Sequence, residues 1–463
     1  MTSLRTSGIE RLRDRRVGVW GTGREGRAII RLALERGADV VVVQDPPLPA
    51  IGAIGPDDPV ELPVLEPGAL DEHELDIVVV SPGVSRYRPE LERLRSLGVE
   101  VTSATALWLE DFTGRPVIGV TGSKGKTMTA VLTRIALEST GANVGLAGNI
   151  GTPVTDFYDG PEHDAYVVEV SSFQASEVTA SPRVGILTLL SPDHLDWHGS
   201  YDRYVRDKLN LFAHRSDLEL AVNARSPDAV EATSDVAIAS HIARRYLYGA
   251  EGDVQVAGDG ISVDGVRQPL FSGLPLRGRH NLDNLCGAIT ATRLLTGRLP
   301  DLEAVSKSIS SMEALPSRLA TIAISNGVEF VDDTLASNPA GTIAALEAFQ
   351  GRRVSLVAGG HDRGASLSGV ARALDGMDNV TLVHLGDAGD RLAGEIVSMN
   401  SKVRCLSARD VGEAVGLAIG ALDGVEGVVL FSPAAPTPAS DGTYVDRSKQ
   451  FRLAVEQYTG LSC

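Results

Sequence analysis

Cysteine is scarce in this 463-residue chain: there are three, Cys286, Cys405 and Cys463. Their odd number and wide spacing exclude a disulfide framework and a thiolate zinc cluster, and suit a reducing cytoplasm. Long apolar runs are absent as well. The longest, such as Val40–Val43, are strand-sized and far short of the ~20 residues of a membrane-spanning helix, so no membrane partner is expected. The arginines near the N-terminus are not followed by the apolar segment of a secretory signal. Positive charge is in deficit: 43 Lys and Arg stand against 60 Asp and Glu, a net charge of -17. Such a surface repels phosphate backbones and argues against nucleic acid as a partner, although a local basic pocket can still hold a small anion.

What is present is globular composition, with length for about three domains. Strands and helices alternate. Val17–Trp20 reads as a buried strand, followed by a glycine turn and a helix from about Gly26 to Arg36. Val40–Gln44 and Ile77–Val80 are further strands, the latter ending in Ser81-Pro82-Gly83. After a linker at Asp111–Pro116, a second block places strands at Val117–Val120, Tyr166–Val170 and Ile186–Leu190, with a helix over Lys126–Glu138. A third block has strands at Val328–Val331, Val354–Ala358, Thr381–Leu385 and Val428–Phe431. This alternation predicts parallel sheets and an α/β chain of three consecutive domains, 1–113, 114–313 and 314–463.

The strongest local signal is Thr121-Gly122-Ser123-Lys124-Gly125-Lys126-Thr127, between a strand and a helix. Glycines there let backbone N–H groups approach phosphate oxygens, and the helix N-terminus favours the anion. Lys126 suits the outer phosphates of ATP and the Thr127 hydroxyl suits Mg²⁺. Val120 stands where the general pattern has glycine. Gly21-Thr22-Gly23-Arg24-Glu25-Gly26, with Asp45 further on, is a dinucleotide-type fingerprint. It fits NAD in an oxidoreductase, another nucleotide diphosphate, or a tight turn. Glu169 and His194 fall at strand ends after the phosphate loop, as Mg²⁺ ligands would. Lys208 reads as a surface helix lysine, and His198 and His280 are ambiguous.

Taken in order, these segments resemble the Mur ligase family. The likeness continues through Gly148-Asn149-Ile150-Gly151-Thr152-Pro153, Glu169-Val170-Ser171-Ser172-Phe173-Gln174, Asp193-His194-Leu195-Asp196, Lys208, Gly278–Asn284, Arg318, Asp333 and Ser432-Pro433-Ala434-Ala435. It implies Rossmann-like first and third domains around a P-loop-type ATPase sheet, in a monomer. It also implies an ATP-dependent amide ligation through an acyl phosphate in peptidoglycan synthesis, with two Mg²⁺. By that resemblance Gly122 to Thr127, Asn281, Arg318 and Asp333 contact ATP. Lys126, Glu169, His194 and a carbamylated Lys208 are catalytic, and the last three hold metal with Thr127.

The glutamate-adding branch is the most similar. It implies a UDP-N-acetylmuramoyl-alanine substrate held by Gly21, Thr22, Gly23, Arg24, Asp45, Ser81, Pro82, Gly83, Asn149 and Ser171. Glutamate would meet Arg363, Ser432, Thr437 and Tyr444. The acceptor region departs from the D-glutamate pattern: Leu335 stands where lysine is usual, Pro339 follows, and Arg363 replaces a lysine. Together with the Gly23-Arg24-Glu25-Gly26 turn, this favours an L-glutamate-using enzyme, whose product a partner epimerase would invert, over a D-glutamate one.

Overall fold

A run of valines with no polar partner on either face can be a strand only where helices cover both sides of the sheet. That is how the first strands sit. In the computed structural model, which describes residues 8–46, 62–72, 74–235, 242–272, 274–313 and 315–461, β1 (Arg16–Trp20), β2 (Asp39–Val43), β3 (Val64–Leu65), β4 (Ile77–Val80) and β5 (Glu100–Thr102) form a parallel sheet of order β3-β2-β1-β4-β5. Cys463 lies outside the described residues.

The next sheet is also all parallel: β6 (Val117–Thr121), β7 (Val144–Gly148), β8 (Ala165–Glu169), β9 (Val184–Leu187), β10 (Leu218–Asn223) and β11 (Ile242–Tyr248), in the order β11-β10-β9-β6-β8-β7. The expected strand at Ile186–Leu190 begins and ends earlier. Beyond Leu187 the Thr188 N–H still donates to Thr121 O at 3.0 Å, while its hydroxyl donates to the Lys124 carbonyl at 2.6 Å. A small antiparallel sheet follows, of β12 (Val254–Ala257), β13 (Gly260–Val263) and β14 (Val266–Gln268). Sequence reasoning missed it, since its short strands alternate with polar residues and lack an apolar run.

The last sheet contains β15 (Ala320–Ser325), β16 (Val328–Asp332), β17 (Val354–Ala358), β18 (Val380–His384), β19 (Arg404–Ser407) and β20 (Gly427–Phe431), ordered β15-β16-β20-β17-β18-β19. The edge strand β15 is antiparallel and was also missed. The chain packs as two compact units, Met1–Ser272 with Leu282–Ser308, and Gly273–Asn281 with Ile309–Cys463. The first two sheets thus share one unit, and Gly273–Asn281 groups with the last sheet.

The helix Ala104–Phe112, which follows the first sheet in the chain, packs on the core of the second through aromatic contacts. Trp108, on the helix Ala104–Phe112, is fully buried and stacks on Phe112 with centroids 4.5 Å apart. Phe157 and Tyr166 close the cluster at 5.8 and 5.9 Å from Trp108. Ser103 starts that helix, its hydroxyl accepting from the Ala106 N–H at 3.2 Å. Trp108→Ala should cost about 3–5 kcal/mol, read as a lower urea midpoint with an unchanged slope.

Candidate active site

Open parallel sheets bind ligands beyond the carboxyl ends of their strands, where loops from adjacent strands converge. The phosphate loop leaves β6, and its neighbours β8 and β9 deliver Glu169 and the segment leading to His194. Gly125 caps the helix Lys126–Glu138 with φ of 89°, and a Cβ there would stand 2.7 Å from Asn284 Oδ1. Glycine is therefore required at that position. Ser123 is pinned by Tyr204 Oη at 2.6 Å and accepts from the Ser191 N–H at 2.9 Å.

Two lysines converge on one carbonyl. Lys126 Nζ donates to Gly122 O at 2.9 Å and Lys208 Nζ to the same oxygen at 3.0 Å. Lys208 is 1% exposed, which overturns its reading as a surface lysine. The helix Tyr201–Leu209 turns its Tyr204 and Lys208 face, four residues apart, onto the phosphate loop. Burial pushes the Lys208 amine well below the usual lysine range; the Lys126 cation adds to this, and Asp193 and Glu169 oppose it. Burial thus shifts the balance toward the neutral, nucleophilic form of the amine.

Glu169 is 1% exposed. Its Oε1 accepts from Asn149 Nδ2 at 2.8 Å, while Oε2 has no hydrogen-bond partner among the described residues. A buried carboxylate oxygen with an open lone pair suits a cation. His194 adopts left-handed backbone, φ 51°, at the start of a short helix. The His194 side chain is 40% exposed, so its desolvation is partial; that desolvation, with the Lys124 and Lys126 charges and against Asp193, lowers the imidazole below its usual range, toward the neutral form that can bind metal. For Asp193, burial acts upward, but Lys124, His194, Lys126 and Lys208 together hold its carboxyl below the usual range.

The glycine turn after β1 is built as expected for a fingerprint loop. A Cβ on Gly26 would lie 2.0 Å from Gly21 O. Ser81 Oγ donates to that same Gly21 oxygen at 3.1 Å, joining the Ser81-Pro82-Gly83 turn to Gly21-Thr22-Gly23. Asp45 pairs with Arg88 at 2.9 Å. Ser171 and Gln174 form a reciprocal capping box immediately after β8.

Asn281, Arg318, Asp333, Arg363, Ser432, Thr437 and Tyr444 all belong to the second unit. There, adjacent strands β16, β20 and β17 bring several of them to one edge. Ser432 Oγ donates to Asp333 Oδ2 at 2.6 Å, and the Leu319 N–H, next to Arg318, donates to Asp333 Oδ1 at 3.2 Å. The loop bearing Arg363 is knit to that of Thr437: the Gly359 N–H donates to Pro433 O at 2.8 Å and the His361 N–H to Pro436 O at 2.9 Å. Arg363 is exposed, Leu335 and Thr437 are half-buried, and Tyr444 is exposed at the start of its helix. Asn281 Nδ2 donates to the Arg277 carbonyl at 2.7 Å.

Sequence reasoning missed Tyr204 and the buried chain Ser172–His198–Asp207. His198 Nδ1 lies 2.6 Å from Asp207 Oδ2 and its Nε2 3.0 Å from Ser172 Oγ, while Tyr87 Oη donates to Asp207 Oδ1 at 2.7 Å. The helical spacing of Tyr204 and Lys208 was the available signal for the first. Asp207, from a polar run, carried none.

Lys208→Met removes a buried amine whose charged form is disfavoured. Its folded-state value is depressed, so the unfolded chain binds more protons and wild-type stability rises with pH. The variant should therefore be more stable than wild type at neutral pH in CO₂-free buffer, by on the order of 1 kcal/mol or more. The difference should shrink as pH climbs toward the free-lysine value, as followed by urea unfolding at several pH values.

The Mur ligase middle domain matches residues 120–292, and the Mur ligase glutamate ligase domain matches residues 317–435. A relative from Salinispora tropica, named UDP-N-acetylmuramoyl-L-alanine--L-glutamate ligase, is 37% identical over 97% of this chain and 99% of its own. One of the same name from Xanthomonas euvesicatoria pv. vesicatoria is 32% identical over 96% of this chain and 95% of its own. Among solved structures, MurF from Acinetobacter baumannii shares the fold with a TM-score of 0.61 at 18% identity, covering 97% of this chain and 92% of that one.

Proposed function

From the premise that this chain belongs to the Mur ligase family of ATP-dependent ligases, we propose that it joins L-glutamate to UDP-N-acetylmuramoyl-L-alanine in peptidoglycan synthesis. The observation that carries the chemistry is the convergence of Lys126 and the buried Lys208 on Gly122, beside the unpartnered oxygen of Glu169. The full-length relatives support L-glutamate over the D-glutamate alternative. A nicotinamide oxidoreductase built on the first glycine turn is set aside. No described helix is long and apolar enough to cross a membrane; the enzyme is proposed to be a cytoplasmic monomer.

In this reading residues 1–113 hold the UDP-sugar, 114–313 hold ATP and 314–463 hold glutamate. The alanine carboxylate attacks the γ-phosphorus, releasing ADP and forming an acyl phosphate. The glutamate amine then attacks the carbonyl carbon, phosphate leaves, and the amine proton is lost. Lys126 and the loop amides stabilise charge on the transferring phosphoryl group. Asn281, Arg318 and Asp333 contact the nucleotide, and Ser432, Thr437, Arg363 and Tyr444 surround the glutamate. Asn149 and Ser171 orient the muramoyl-alanine end.

The neutral Lys208 amine suits addition to CO₂: a C–N bond forms, one proton is released, and the product is a carbamate carrying negative charge. That carbamate, Glu169, His194 and Thr127 would hold Mg²⁺. The metal, when bound, neutralises the polyphosphate. A product carrying L-glutamate requires a partner epimerase wherever the D form is needed.

Phosphate release should require ATP, UDP-N-acetylmuramoyl-L-alanine and L-glutamate together; release with D-glutamate alone would overturn the acceptor assignment. Lys126→Ala should lower kcat by about 100-fold or more in the same assay. Acidification protonates Lys208 and discharges its carbamate, so activity should fall as pH drops. Added bicarbonate should restore it in wild type and have no such effect in Lys208→Met.

A further inference from the structure

Arg24 and Glu25 occupy the middle of the glycine turn that opens the first helix, Arg24–Glu35. Neither side chain folds back into its own sheet. Arg24 Nη1 donates to the Gly151 carbonyl. Glu25 Oε1 accepts from Gln174 Nε2 at 2.5 Å. Consecutive residues of one turn thus grasp two different turns of the central sheet, 127 and 149 positions away.

Those two turns share one neighbour. In the first, the Asn149 N–H donates to Glu169 O at 2.8 Å and its side chain to Glu169 Oε1 at 2.8 Å. In the second, Gln174 Oε1 accepts from the Ser171 N–H at 2.9 Å, two residues beyond Glu169. Gln174 is 2% exposed, so its amide is committed to these contacts. Beyond Arg24 the surfaces diverge around a cavity of about 350 Å³ lined by Arg27, Arg31, Thr152 and Asp156. Registration near Glu169 therefore depends on directional hydrogen bonds.

We infer that Arg24 and Glu25 are positioning residues, which lock the nucleotide-sugar turn to both turns flanking Glu169 and so deliver the substrate carboxylate in line with the phosphate loop. This rests on the ligase reading above. Geometry of this kind governs rate more than affinity, because small misplacement of reacting groups is costly. Burial pushes the Glu25 carboxyl up to about 7, with Gln174 opposing. A neutral amide at this position should keep the contact that alanine deletes.

The experiment compares wild type, Glu25→Gln and Glu25→Ala by steady-state phosphate release with UDP-N-acetylmuramoyl-L-alanine, ATP and L-glutamate, and by calorimetry with ADP. Glu25→Ala should lose about tenfold or more in kcat, with KM for the UDP-sugar and the ADP affinity each within about twofold of wild type. Glu25→Gln should recover kcat to within about twofold. Three results would overturn the role: wild-type kcat in Glu25→Ala, an equal loss of kcat in Glu25→Gln, or weakened ADP binding in Glu25→Ala, which would make the residue a general prop of the fold. If wild type itself releases no phosphate with this substrate set, the ligase reading falls and the positioning role falls with it.

Discussion

Everything at the phosphate loop depends on keeping two lysine amines on one carbonyl oxygen, one of them partly exposed and the other out of reach of water. Two ammonium ions cannot share such a position comfortably. The fold resolves the conflict by asymmetry. Lys126 sits on the loop's own helix, where an incoming polyphosphate can balance it, and Lys208 arrives from a separate helix and is fully enclosed. Enclosure disfavours the ammonium form of Lys208. Glu169 supplies the complementary half, a buried carboxyl with one oxygen satisfied by Asn149 and the other without a hydrogen-bond partner among the described residues.

The parallel architecture makes this arrangement inexpensive in backbone terms. β6, β8 and β9 are neighbours, so three loops emerge at one edge without long excursions. The second unit repeats the device with β16, β20 and β17, which bring Asp333, Ser432 and the Arg363 loop to a common edge. Phosphoryl transfer asks mainly for positioned charge, and acyl transfer asks for a dry site. Strand-end loops on rigid sheets meet the first demand.

Much of this was legible in the sequence, for stated reasons. Valine runs marked β1, β2, β4, β6, β17 and β20 because buried parallel strands have no polar face. The phosphate loop was legible because its chemistry resides in consecutive residues. Burial of Lys208 was not, since polar neighbours such as Arg206 and Asp207 make its helix look solvent-facing; Asp207 is itself buried, tied up by His198 and Tyr87. The antiparallel strands β12 to β15 escaped because half-polar strands lack the continuous apolar signal. Distance defeats the reading in a further way: Glu25 and Gln174 are far apart in the chain, and nothing local in either marks the other.

The helix Tyr201–Leu209 carries two jobs within a single turn: Tyr204 fastens Ser123 of the phosphate loop, and Lys208, whose amine lies 4.9 Å from the centre of the Tyr204 ring, is the lysine proposed above to react. Fastener and reagent are thus geared to the same screw. A residue inserted before Ser200 would leave both in mesh, whereas one inserted between Tyr204 and Lys208 would rotate the amine by about 100° and strand it. The spacing of that pair is in effect a timing mark: the phosphate loop is met by both side chains only while four residues separate them.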